Sequence, residues 1–413
     1  MANDFYTTDK ILKEAIMLLE NELVMGNAVH TDLQGQAPGG AEKVGNTISI
    51  RRPTQYQGQA DDIDITGYRE DIEQATIPIT LDKTHTVPVQ IGALERTFDF
   101  NRFSEDILKP AMITMKDRVE AHIASKYSDF YHFSGTPGTV PSTFKDLGRV
   151  GAILTDGAVS NSGRVAFHGT DTSLELADGL KGVYVQGKAK TAFEEATIGR
   201  YGGFTNYQTV YAPTHTVGNH GGTPLVNGAS QNVTYAAAKQ TFSSPLVTDG
   251  WAASRTGLLK KGDVITIAGV NAVNPVSKED TGRLQTFVVK ADVNSDGSGN
   301  ATVQLSPPLV TSGAYQTVSA APADNAAITV KTGSANGVHK QSLLLNPKAI
   351  ALVTRPLDIP NGSGVKTTTK SGEKVTISCT EFVDGNTLAQ TFRFDILYKA
   401  ETVDARLGAR LTS

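Results

Sequence analysis

Between residues 214 and 338 the chain carries only 8 basic and 7 acidic side chains in 125 residues, and its apolar positions change from helical spacing to alternation. Val264, Ile265 and Ile267, then Phe287 and Val289, then Val303 and Leu305 stand in short runs separated by turn clusters such as NSDGSGN. Apolar runs bounded by Gly, Asn, Asp and Ser read as successive short strands. On either side the texture is mixed. Helical and strand-like patterns alternate from about 141 to 213, and again after 339 in SLLLNPKAIALVTRPL, KVTISCTEF, TFRFDILYKA and TVDARLGARL. A β-rich, charge-poor segment bracketed in this way predicts an inserted barrel or sandwich in an α+β chain whose sheet the C-terminus completes. At 413 residues the chain has room for two or three domains.

Upstream, Ile11/Leu12, Ala15/Ile16, Leu19 and Leu23 recur three to four apart and predict an amphipathic helix over 8–25. Thr8 can cap it and Gly26 can end it, while Lys10, Lys13, Glu14, Glu20 and Glu22 occupy the opposite face. The Gly- and Ala-rich stretch GNAVHTDLQGQAPGGAEKVGN follows without a period, so the helix reads either as a tethered arm or as a core helix with a long surface loop. Ile48/Ile50, Ile77/Ile79/Leu81 and Val87/Val89/Ile91 alternate as strands do. The polar stretch between the first two has Arg51 and Arg52 at one end and Asp61, Asp62, Asp64, Glu70, Asp71 and Glu73 toward the other, the pattern of a long projecting hairpin. A lone two-stranded hairpin is marginal in water and needs something to lie on.

After a short turn following Ser104, Lys109-Pro110 opens a second strong helix, because proline suits the first helical turn. Met112, Met115, Val119, Ile123 and Phe130 mark its stripe, over about 21 residues or roughly 31 Å. The methionines read as core packing. Further on, 144–154, 171–180 and 188–196 are expected to be helical, and 165–167 and 205–211 extended.

The charge balance excludes some functions. A formal charge of −4 with no Lys/Arg arm cannot gather nucleic acid by displacing phosphate counterions. The lone Cys379 forms no internal disulfide. No apolar stretch reaches the roughly 18 residues of a membrane span, and MANDFYTTDK lacks the marks of a signal peptide, so the chain is expected to be cytosolic when made.

Motifs suggestive of chemistry are all incomplete. Gly182 to Lys188 has phosphate-loop spacing, but Ala189 stands where magnesium needs Ser or Thr, and Val183, Tyr184 and Val185 read as strand. Asp292, Asn294, Asp296 and Gly297 copy the first half of a calcium loop, but Val303 occupies the place of the bidentate glutamate, so a hairpin turn is expected. His215 and His220 lack nearby carboxylate or thiol company in the sequence and read as solvated loop residues. No G-x-S-x-G elbow exists, and Cys379 sits in a strand pattern as a buried structural thiol. No enzyme, cofactor or metal is expected.

The order of parts resembles the major capsid proteins of tailed double-stranded DNA phages with the Hong Kong 97 fold, and more narrowly the coat protein family of the short-tailed Salmonella phage P22. The residues that carry the likeness are Lys261-Gly-Asp263-Val-Ile-Thr-Ile-Ala-Gly269-Val270, Gly203-Phe204, and Leu344-Leu-Asn-Pro-Lys-Ala349-Ile350-Ala-Leu-Val-Thr354-Arg355-Pro356. The resemblance implies an α+β Hong Kong 97-type fold. Its parts would be an N-terminal arm over 1–40, an extended-loop hairpin over 41–91, a P-domain with the spine helix over 92–140 and an A-domain over 141–213. An inserted all-β barrel over 214–338 and return strands over 339–413, completing the A- and P-domains, would close the chain. It further implies hexamers and pentamers, a separate scaffolding protein, a portal protein, and enclosed double-stranded DNA bound without sequence specificity. Assembly would take place in the bacterial host cytoplasm, with no membrane, and the product would be the virion.

Subunit-interface residues expected on this basis are Ile11, Ile16, Leu19, Leu23, Arg51, Arg52, Tyr56, Asp61, Asp62 and Glu70, since the arm and hairpin leave apolar or strand-edge surface for neighbours to cover. One departure is that TFSSPLVTDGWAASRTG, where the family has a charged loop between capsomers, offers only Asp249 and Arg255. No residue is assignable to a covalent Lys–Asn link. The competing reading is a phage tail or surface-adhesion protein, because Gly/Thr-rich β domains also suit binding modules.

Overall fold

The computed structural model describes residues 8–31, 47–56, 75–91, 104–179, 199–229, 231, 235–357, 365–383 and 389–413. Helix α1 (Thr8–Glu22) buries Thr8, Ile11, Leu12, Ala15, Ile16 and Leu19, the face the spacing predicts. Gly26 does not end it. That glycine lies in a further turn, α2 (Met25–Ala28). Strands β1 (Thr47–Arg51) and β2 (Thr76–Thr80) form a two-stranded sheet with alternating burial, and β3 is Lys83–Ile91. A π-helical turn, Ser104–Leu108, leads into α3 (Lys109–Ala124), after which Ser125–Asp129 winds as a tighter 3₁₀ turn. The regular helix is therefore shorter than the apolar stripe suggests.

Strand β4 (His132–Ser134) precedes α4 (Phe144–Asp156), which opens on a capping box in which Thr143 and Asp146 satisfy each other's backbone N–H groups. Then come β5 (Val165–His168), α5 (Thr170–Gly179), β6 (Arg200–Tyr201), β7 (Phe204–Gln208), β8 (Thr214–Thr216), β9 (Gly222–Val226) and the single turn α6 (Tyr235–Ala238). The remaining strands are β10 (Ser244–Trp251), β11 (Val264–Val273), β12 (Asp280–Val289), β13 (Ala301–Ser306), β14 (Ile328–Val330), β15 (Val338–Leu345), β16 (Ile350–Arg355), β17 (Val365–Ser371), β18 (Thr376–Val383), β19 (Gln390–Thr402) and β20 (Gly408–Thr412). The helix expected over 188–196 and the phosphate-loop spacing at 182–188 lie outside the described residues.

The chain divides into two compact units, residues 1–49, 78–124 and 350–401, and residues 50–77, 125–349 and 402–413. In the first, β16, β19, β18 and β17 lie side by side in that order, and β3 pairs antiparallel with β19 from Lys83 opposite Tyr398 to Ile91 opposite Gln390. Helix α1 packs on α3, β17 and β18. The core there includes Leu12, Leu19, Met112, Met115, Val119, Ile377, Cys379 and Phe394, all fully buried.

The second unit holds two sheets. One runs β4-β20-β15-β5-β7-β6, with β8 also paired to β15; β4–β20 and β5–β7 are parallel, whereas β20–β15, β15–β5, β15–β8 and β7–β6 are antiparallel. Leu147, Val150 and Leu154 of α4 cluster with Ala166, Phe204, Leu344, Ala409 and Leu411 of its strands. The other sheet runs β14-β11-β12-β13-β10-β9. Its two ends approach each other. Val226 N donates to Ala326 O at 3.0 Å and Asn325 N to Val226 O at 2.9 Å, so the sheet is nearly closed. Its core, from Val226 through Trp251, Ile265, Phe287 and Leu305 to Ile328, comes entirely from the segment that the sequence marks as β-rich.

Candidate functional site

A buried polar cluster lies around the Lys261–Val270 motif. Asp263 is fully buried and accepts four hydrogen bonds, from His215 Nε2 at 2.8 Å, Lys260 N at 2.7 Å, Gly218 N at 3.0 Å and Thr332 Oγ1 at 3.0 Å. With the Nε2 proton committed to that carboxylate, His215 Nδ1 accepts from the Tyr127 hydroxyl at 3.1 Å. Burial alone would push the Asp263 carboxyl up, but the bond from His215 and the backbone N–H groups outweigh it and hold it below the ordinary carboxylate range. His215 is therefore not a solvated loop residue. Tertiary folding supplies the carboxylate that its sequence neighbours lack.

Arg410 lies beside this trio, wholly buried, donating from Nη2 to Gly262 O at 2.8 Å and stacked 5.6 Å from the Tyr127 ring centroid and 5.8 Å from that of Phe133. Burial lowers its pKa to about 10. Nearby, Asp129 takes Lys290 Nζ at 2.7 Å and the Thr402 hydroxyl at 3.2 Å. A Tyr–His–Asp line of this kind has the geometry of a proton relay, but each of its bonds is spent within the chain and its histidine and carboxylate are shut from solvent. It acts as a clamp.

The half calcium loop is likewise used up by the fold. Asp296 Oδ1 accepts from Ser298 N and Asn300 N, each at 2.8 Å, Asn294 Oδ1 from Gly257 N at 2.7 Å, and Asp292 Oδ1 from Lys261 N at 2.8 Å. Among the described residues, no group of three or more His, Cys, Asp or Glu side chains is arranged to hold a metal. Cys379 is buried in β18 and burial pushes its thiol up to about 12, which leaves it unreactive.

The residues expected at subunit interfaces fall into three groups. Ile11, Ile16, Leu19 and Leu23 are all at most 5% exposed and already packed by their own chain, so the apolar stripe of α1 is core and not surface awaiting a neighbour. The reason is supplied by α3: Glu120 is buried in its stripe and accepts from the backbone N–H groups of Val24, Met25 and Gly26 at 2.9, 3.0 and 3.1 Å, which fastens the end of α1 in place. Thr8 does not cap α1 but donates to Glu381 Oε2 at 2.6 Å.

Arg51 and Tyr56 are exposed, whereas Arg52 is half-buried, its guanidinium carbon 5.0 Å from the Phe242 ring centroid and its N–H donating to Ala75 O at 2.8 Å. Asp61, Asp62 and Glu70 lie outside the described residues. Sequence reading missed Glu120, although a signal was there: it stands eight residues after Met112 and three before Ile123, inside the apolar stripe. Large apolar side chains left in solvent include Met17, Phe144, Leu174, Val210 and Val276. Among the described residues, no helix is long and apolar enough to cross a membrane.

The sequence model of the family described as P22 coat protein, gene protein 5, matches residues 1–412. The chain is 26% identical over 366 residues to the major capsid protein of Acyrthosiphon pisum secondary endosymbiont phage 1, covering 86% of this chain and 85% of that one. Among solved structures, it resembles a chain of Mycobacterium phage Che8 at a TM-score of 0.45 and 12% identity, covering 94% of this chain and 91% of that one. The capsid of Ralstonia phage GP4 gives a TM-score of 0.45 at 9% identity, with 94% and 88% covered.

Proposed function

The chain belongs to the P22 coat protein family, and from that premise we propose how a major capsid protein of this kind builds its container. It is a phage capsid subunit whose activity is self-association into an icosahedral shell. The match to the family over residues 1–412 carries this reading.

Within it, copies gather as hexamers and pentamers around a separate scaffolding protein, with a portal protein at one position of the shell. Double-stranded DNA is enclosed without sequence-specific contacts. The charge balance supports that role: at −4 overall and without a basic arm, the chain cannot condense DNA itself, so the genome must be driven in by other machinery. Assembly takes place in the host cytoplasm and involves no catalysis. The parts follow the Hong Kong 97 plan, with the arm over 1–40, the extended loop over 41–91, the P-domain over 92–140, the A-domain over 141–213 and the return strands over 339–413. The inserted barrel would occupy 214–338, a reading supported by the nearly closed sheet and its self-contained core. Arg51 and Tyr56, exposed at the base of the hairpin, are the interface residues this reading retains among the described ones. Electron microscopy of the chain coexpressed with its scaffolding protein tests the proposal. Closed shells of uniform size are expected, and small soluble species alone would overturn it.

A further inference from the structure

Two helices of the second unit each hold a large apolar side chain in solvent: Phe144 at the start of α4 is 60% exposed and Leu174 in the middle of α5 is 62% exposed. One such residue on its own is ordinary. Their surroundings set these two apart. On α5, Leu174 shares its face with Asp171, Glu175 and Asp178, the i, i+3, i+4 and i+7 positions, all exposed, while Thr172, Ser173, Leu176 and Ala177 are buried on the side turned inward. On α4, the exposed charges are Lys145 and Arg149, one turn apart, and the acids of that helix are occupied, Asp146 in the capping box with Thr143 and Asp156 by Arg283 at 3.2 Å.

One helix therefore shows a basic face with an aromatic ring, the other an acidic face with a leucine. Lys340 meets Asp171 at 2.6 Å, but among the described residues Lys145, Arg149 and Glu175 have no ion-pair partner. The ring of Phe144 is also fixed in place. It stands edge-on to Tyr201 with centroids 5.4 Å apart, and Tyr201 packs in turn on Leu176 and Ala177 of α5. An aromatic side chain already held before contact loses little freedom when it is covered.

We propose that these faces meet between copies of this chain, the basic face of α4 in one copy seated on the acidic face of α5 in the next, with Phe144 against Leu174 and with Lys145 and Arg149 opposite Glu175 and Asp178. The occupant is a second copy because one chain carries both halves of a complementary pair, and identical subunits that close into rings need two different surfaces that fit each other. The inference rests on the reading of the chain as a shell subunit and adds where its copies touch. The covered ring and leucine supply the hold, and the opposed charges set register and speed encounter. Contacts of α4 with α4 or of α5 with α5 bring like charges together, which selects against the wrong pairing.

Two batches of the full chain, one with Phe144→Cys and one with Leu174→Cys, each gain a single exposed thiol, since the native Cys379 is buried. A short bis-maleimide added to their concentrated mixture is expected to give a covalent dimer whose digest contains the 144–174 link, which neither batch yields by itself. Lys145→Glu with Arg149→Glu, placed in both batches, should cut that yield by about tenfold or more, because like charges then face each other. Adding Glu175→Lys with Asp178→Lys to the same chains should bring it back. All four side chains face solvent, so the unfolding midpoint of each variant is expected to stay at its unmodified value. Absence of the link from the mixture, a link undiminished by the first reversal, or no recovery after the second would each overturn the interface. Shell counts by electron microscopy of the unmodified chain with its scaffolding protein separate the two readings. Shells without the link refute this contact and leave the capsid reading intact, whereas the link without shells refutes the capsid reading and leaves the contact standing.

Discussion

Glu120 and the buried histidines carry the sharpest consequences at the level of single side chains. The Glu120 carboxyl group accepts from three backbone N–H groups, those of Val24, Met25 and Gly26. Glu120→Ala takes this acceptor from the buried Met25 and Gly26 N–H groups and the partly buried Val24 one, and is expected to cost about 3 kcal/mol in urea unfolding, with Glu120→Gln losing less. His132 and His168 are both held near pKa 4 by burial, the second while bonded to Asn206. Unfolded histidine titrates near about 6.5, so in the window between the two values the unfolded chain binds protons that the folded chain refuses. Stability is then complete above roughly pH 6.5 and falls as pH drops toward 4, by about 3 kcal/mol for each ring at 1.4 kcal/mol per unit. Unfolding midpoints measured from pH 7 to 4.5 check this, and His168→Phe should flatten the slope. That His168 and His132 are buried was not legible from their neighbours. A histidine next to a short apolar run can face either way until the strand is seated in a sheet.

Among the elements, α1 shows how much a pattern can settle. Its three-to-four spacing identified the helix and its apolar face, and both are present. What covers that face was open, because a periodic stripe specifies that something apolar lies opposite without saying whether it is the same chain. The packing of α1 on α3, β17 and β18 answers it. Leu19→Ala is therefore expected to lose about 2–5 kcal/mol of stability in the isolated chain, as core truncations do, a loss that a solvent-borne arm would not show. Removal of residues 1–25 strips core from the first unit and should lower the unfolding midpoint before any effect on assembly is seen. The β-rich segment is the opposite case. Alternation and turn clusters located its strands within a few residues, and its core is drawn from itself. Expressed alone, residues 214–338 should give dispersed amide resonances, and collapsed ones would show that the clamp through Arg410 and Tyr127 is needed for folding.

For the molecule as a whole, assembly separates the exposed interface residues from the buried ones. Arg51→Ala and Tyr56→Ala remove solvent-facing side chains and should shift the monomer's stability by no more than about 0.5 kcal/mol, while the yield of closed shells counted by microscopy falls. Shell yield at the unmodified level would remove both residues from the interface. The order of segments, the texture change at 214 and 338, the absence of a nucleic-acid-binding arm and the match to a coat protein family all follow from residue types along the chain. They do so because periodicity, charge and turn chemistry act between near neighbours. The His215–Asp263–Tyr127 clamp and the seating of Glu120 on the 24–26 backbone needed the tertiary structure. They join residues from 48 to 96 positions apart, and no local preference encodes which of many distant partners a buried polar group will meet when the sheets close.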